Sequence, residues 1–132
     1  MNKEEQKFLQ EYDDSIFAKP SVTADVVILT VDNENDLNVL LIKRENFPFK
    51  DKLSIPGGFV NMEDDVDEVA KKKLFEKTGL CGIKLEQFAT FGKVDRDPRG
   101  RIISVGYFAL VPKKELDVTN SKALFYKIRM NG

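Results

Sequence analysis

Residues 57–80, reading GGFVNMEDDVDEVAKKKLFEKTGL, constrain this chain more than any other stretch. Two adjacent glycines permit an irregular backbone turn that a residue with a Cβ resists, and an acid-rich run then suits the positive end of a helix. Across residues 65–77, Val66, Val69, Ala70 and Leu74 fall at helical spacing. Gly79 stands where a left-handed C-terminal cap is needed. The stretch therefore predicts a turn, a helix and a second turn in fixed order, with Lys71, Lys72, Lys73 and Lys77 crowding the second half of the helix.

The flanking segments predict strands. Residues 23–30 (TADVVILT) are β-branched and mostly apolar, as a strand covered on both faces requires, and residues 38–43 (NVLLIK) read as its hairpin partner across the polar loop at 32–36. A short strand is expected at 52–55, and longer ones at 84–91 and 101–111. Residues 121–130 suit a strand or a helix. Before all of these, residues 2–17 space Phe8, Leu9, Tyr12, Ile16 and Phe17 as one face of an amphipathic helix ended by Lys19-Pro20, and that apolar stripe is expected to pack on the domain. Strands around an internal helix argue an α/β sandwich with a mixed sheet.

Composition removes several chemistries. At 132 residues and 42% apolar content the chain suits one domain with a single core. Lysine plus arginine (21) nearly balances aspartate plus glutamate (22), so any phosphate binding has to be local, without the overall basic charge of a nucleic-acid or membrane-surface binder. The absence of histidine excludes Ser-His and Cys-His catalysis and His-ligated zinc. Cys81, the only cysteine, cannot form an internal disulfide, and no apolar run approaches the ~20 residues of a membrane span. The expected location is the cytoplasm, with no membrane contact.

Laid from Gly58, the stretch resembles the Nudix box. That pattern is a glycine, five residues, a glutamate, seven residues, and then Arg-Glu-aliphatic-any-Glu-Glu-any-Gly-aliphatic. Here Asp64 stands for the first glutamate, Lys72 for the arginine, Leu74 for the aliphatic residue, Glu76 for one glutamate, and Gly79-Leu80 for the end. Lys73 and Lys77 occupy the other two glutamate positions. The resemblance implies a Nudix-like α/β/α sandwich, with residues 1–20 a helical lead and residues 21–132 the domain, its final helix lacking. It also implies descent from a Mg²⁺-dependent hydrolase, whose clustered carboxylates hold the ion against a nucleoside diphosphate and activate water.

Positions 73, 76 and 77 share one side of the helix, so the lysines change the site's sign. Asp64, Lys72, Lys73, Glu76 and Lys77 together carry +1, where four glutamates and an arginine carry −3. Unit charges ~4 Å apart interact by about 4 kcal/mol at an effective dielectric of 20, and each substitution turns attraction for a divalent ion into repulsion. A lysine ammonium is itself a point-charge partner for phosphate. Three readings follow: a pocket that binds a nucleoside diphosphate without metal or cleavage, using Gly57, Gly58, Lys72, Lys73 and Lys77; residual hydrolysis, with Glu76 and Asp64 as catalytic residues and Mg²⁺ ligands; and an interaction domain in which the lysines are a solvated helix face. Only the second requires a cofactor.

Residues 12–25 (YDDSIFAKPSVTAD), 40–44 (LLIKR) and 95–101 (DRDPRGR) narrow the resemblance. Over residues 8–112 the chain is similar to the Nudix domain of ADP-ribose-sensing regulators of NAD metabolism and of related ADP-ribose pyrophosphatases. The implied ligand is an ADP-ribose-like nucleotide. Arg96, Arg99 and Arg101, with Arg44, can offer donors to its phosphates, or the arginines of the loop can pair with Asp95 and Asp97. Phe49 is a candidate for stacking on a base or for the core, and Leu53 stands where related domains often carry tryptophan. Such regulators continue into a winged-helix domain that residues 122–130 do not resemble, so DNA binding is not expected of this chain alone. A fragment, a frameshifted chain and a domain completed by a partner all fit that ending, and an uncovered apolar face would favour a homodimer.

Overall fold

In the computed structural model, which describes residues 1–129, the elements follow in the order α1 (Lys3–Glu11), β1 (Ser21–Val31), β2 (Leu37–Lys43), β3 (Leu53–Ser54), β4 (Gly57–Phe59), α2 (Val66–Thr78), β5 (Glu86–Phe91), β6 (Ile102–Leu110) and β7 (Ala123–Lys127). Short 3₁₀ turns stand at Asp14–Ile16 and Lys113–Glu115. The α/β class and mixed sheet are as expected, and the sheet runs β3-β2-β1-β6-β5 with β4 and β7 attached to β1 and β2.

β1 is the spine. Along one side it runs parallel to β6 from Ser21↔Ile102 to Leu29↔Leu110. Its other side is divided: Thr23, Ala24 and Asp25 pair antiparallel with β4, and Leu29, Thr30 and Val31 pair antiparallel with β2. Strand alternation sends Ala24, Val26, Ile28 and Thr30 to a fully buried face and turns Thr23 and Asp25 to the opposite one. Against the buried face lies α2, whose Val69, Ala70 and Leu74 join Val26, Ile28, Leu40 and Tyr107 in one core. Burying a side chain of this size stabilises by about 1.5–3 kcal/mol. The ends of the core are tied by the Thr30 hydroxyl donating to the Val111 carbonyl at 2.7 Å and by the Tyr107 hydroxyl donating to Asp67.

The structure departs from the sequence reading in two places and decides a third that the reading left open. Helix α1 ends at Glu11 and buries none of its residues; Phe8, Leu9, Tyr12, Ile16 and Phe17 all stay exposed, with the Phe8 and Tyr12 ring centroids 5.6 Å apart. Amphipathic spacing gives a helix a stripe to bury but no partner, and here none of the described elements receives it. The Gly57-Gly58 turn is itself strand, because β1 offers it an edge to pair with. Of the two states open to residues 121–130, residues 123–127 take the strand, paired along β2 with Ala123 buried opposite Ile42. Met130, at the end of that stretch, lies outside the described residues.

Candidate functional site

A cavity of about 720 Å³ opens over the Thr23 and Asp25 face of β1 and is continued by Ser104 of β6, the Gly57-Gly58 strand, and Glu76 and Lys77 at the end of α2. Glycine is what lets these pieces meet. A Cβ on Gly57 would stand 2.2 Å from Asp25 Oδ1, and one on Gly58 would stand 2.7 Å from Lys73 Cε. Asp25 is a carboxylate held in place: its Oδ2 accepts from Thr23 Oγ1 at 2.7 Å and from Ser104 Oγ.

The two lysines that replace box glutamates behave differently. Lys73 lays its stem along Gly58 and brings Nζ to 3.2 Å from Glu76 Oε2. Lys77 reaches into the cavity and donates to the Gly57 carbonyl oxygen. Burial, and then the neighbouring Lys73 ammonium, draw the Lys77 pKa below its usual value, with Asp25 and Glu76 opposing. Two other box positions stand apart from this cavity: Lys72 is exposed, and exposed Asp64 accepts from the Asn61 N–H at 3.2 Å. Among the described residues no three aspartate, glutamate, cysteine or histidine side chains group closely enough to share a metal ion.

The arginines converge on the same space. Arg99 grips Asp97 with Nε and Nη2 at 3.0 and 2.8 Å, and its guanidinium lies 4.9 Å from the centroid of the Phe59 ring. Arg99 in turn holds the Asp97 carboxyl down at about 2. Arg44 donates from Nε to the Pro48 carbonyl at 2.7 Å, and Arg96 from Nη2 to the Ile102 carbonyl at 3.5 Å; all three arginines line the cavity. Arg101 instead donates to the Gly92 carbonyl at 2.6 Å, outside the lining, and exposed Phe49 is neither core nor lining.

The sequence reading passed over Asp25 and an aromatic rim. Phe88 and Phe91 line the cavity edge to face, centroids 6.1 Å apart, and Phe88 meets Phe108 at 5.8 Å. A register shift between Gln87 and Ala89 reorients this part of β5, and Gly106 leaves the space for the ring, since a Cβ there would be 2.9 Å from Phe88 Cε1. The usable signal for Asp25 was its lone charge inside an apolar strand. The rim left none, because a bulge breaks the alternation that would have announced it.

The NUDIX domain family matches residues 19–125. Over 109 residues the chain is 45% identical to the ADPR responsive transcriptional repressor NtrR of Acinetobacter baylyi, covering 81% of this chain and 43% of that protein. It is 37% identical to the ADP-ribose pyrophosphatase of Methanocaldococcus jannaschii over 101 residues, 76% of this chain and 57% of that one. The chain thus spans about half the length of the curated relatives it matches. Among solved structures, a MutT/nudix family protein from Enterococcus faecalis aligns with TM-score 0.83 at 30% identity, over 100% of this chain and 53% of that one. The NUDIX domain of Shewanella oneidensis NrtR, cocrystallised with ADP ribose, aligns with TM-score 0.77 at 29% identity, over 96% of this chain and 82% of that one. Spacing of the box, the parallel pairing of β1 with β6 around α2, and these matches agree: the chain belongs to the NUDIX domain family.

Proposed function

We propose that the cavity binds an ADP-ribose-type nucleoside diphosphate and hydrolyses it little or not at all. The observation that carries this reading is the position of Lys77, whose ammonium points into the cavity beside Arg44, Arg96 and Arg99. Such a lining attracts phosphate and repels a divalent cation. Of the carboxylates in the lining, Glu45, Glu76 and Asp97 are already paired with Lys122, Lys73 and Arg99, which leaves Asp25 alone without a cation within 4 Å among the described residues, and Asp64 lies outside the lining. This donor set does not fit Mg²⁺, so no chemical step is assigned through a metal. Two relatives named for ADP-ribose, and one solved structure holding it, support the choice of ligand.

The second reading is weak hydrolysis with Mg²⁺ held by Glu76 and Asp64, and Glu76 does face the cavity. Isothermal titration with ADP-ribose, once in EDTA and once in Mg²⁺, separates the two. The expected result is comparable binding heat in both buffers and no AMP released on prolonged incubation. AMP release at high Mg²⁺ favours the hydrolase, and silence in both buffers leaves an interaction domain.

A further inference from the structure

Six lysines and arginines line the cavity, and their partners sort them into two groups. Lys43, Arg99 and Lys122 each have a carboxylate within ion-pairing distance, in Asp51, Asp97 and Glu45. Arg44, Lys77 and Arg96 have none within 4 Å among the described residues. Each of these three is instead aimed by one backbone carbonyl, that of Pro48, Gly57 or Ile102. A carbonyl fixes a cation's direction without cancelling its charge. An ammonium has three donors and a guanidinium five, so a single bond to the backbone leaves donors over for a ligand.

We infer that Arg44, Lys77 and Arg96 form a preset cradle for two linked phosphate groups, in which Lys77 is the built-in replacement for a divalent ion. The inference rests on the proposed binding of a nucleoside diphosphate and adds which cations serve it. Lys73 and Lys77 occupy equivalent box positions yet have different work. Lys73 is spent on Glu76, which removes a negative charge that would face the phosphates, and Lys77 keeps its own charge for the ligand. Arg99, locked to Asp97 and lying over Phe59, shapes the wall.

The test is titration of the full chain with ADP-ribose in EDTA, with adenosine as the ligand that lacks phosphate. Lys77→Met is expected to weaken ADP-ribose binding at least tenfold, and Lys77→Arg, which keeps the charge, to recover most of that loss. Lys71→Met, the same charge change on the exposed helix face, controls for overall charge. The charge-balanced double variant Lys73→Met with Glu76→Gln is expected to lose less affinity than Lys77→Met. Thermal melts show that each variant is folded. Wild-type chain that binds ADP-ribose while Lys77→Met binds it equally well overturns the inference, as does a double variant that loses as much as Lys77→Met. Wild-type chain that binds nothing overturns the underlying reading instead. Binding of adenosine as tight as that of ADP-ribose overturns the cradle even where a nucleoside pocket exists.

Discussion

Tyr107 joins the core to the first turn of α2. The residue is 3% exposed and its hydroxyl donates to Asp67, while burial and then that hydrogen bond push its pKa up to about 12. The folded pKa lies above the ordinary tyrosine value near 10, so the stability this contributes is complete below pH 10 and is lost as pH rises toward 12. Tyr107→Phe is expected to cost about 1.5 kcal/mol at pH 7, where a bond to a charged acceptor is broken, and to narrow the gap to wild type across pH 10–12; urea unfolding at several pH values checks both. Single residues were legible in the sequence wherever their meaning came from spacing along the chain. Lys73, Glu76 and Lys77 fall on one side of α2 because three- and four-residue steps on a helix fix them, although Lys73 turns to Glu76 and only Glu76 and Lys77 line the cavity. Asp25 was not legible in this way, since its partner Ser104 is 79 residues away and only the parallel sheet brings them together.

The most local element is also the one read best. Helix α2 spans Val66–Thr78, one residue off its expected bounds, and stops at Gly79 with φ +84° and its N–H donating to the Phe75 carbonyl at 2.8 Å. Gly79→Ala is expected to cost about 1 kcal/mol for the left-handed backbone alone. A Cβ there would also stand 1.9 Å from Thr119 Oγ1, so the measured loss in a denaturant titration should exceed that figure, and adding Thr119→Ala should return it toward 1 kcal/mol. Strands β4 and β7 were less legible. The Gly57-Gly58 pair reads as a turn by composition and becomes strand because the first half of β1 leaves an edge open, while the residues of β7 carry no preference strong enough to choose a state before β2 supplies one. Secondary structure decided by a partner elsewhere in the chain cannot be read from a window of residues.

At the scale of the whole molecule, the core and the cavity both depend on the sheet and α2, and the amphipathic lead stands aside from both. Removing residues 1–12 is expected to shift the melting temperature by less than about 2 °C, because α1 contributes no buried residue; differential scanning calorimetry decides it. A large drop would mean that the apolar stripe packs in solution after all. The family and the α/β class were legible because the box spacing and the flanking strands are long, regular signals.

The alternation along β1 has one further outcome. Its even-numbered side chains from Ala24 to Thr30 are shut inside the core, whereas Thr23 and Asp25 open on the cavity. Evolution can therefore retune what this domain recognises by exchanging neighbours of residues that keep it folded, changing selectivity without renegotiating the architecture.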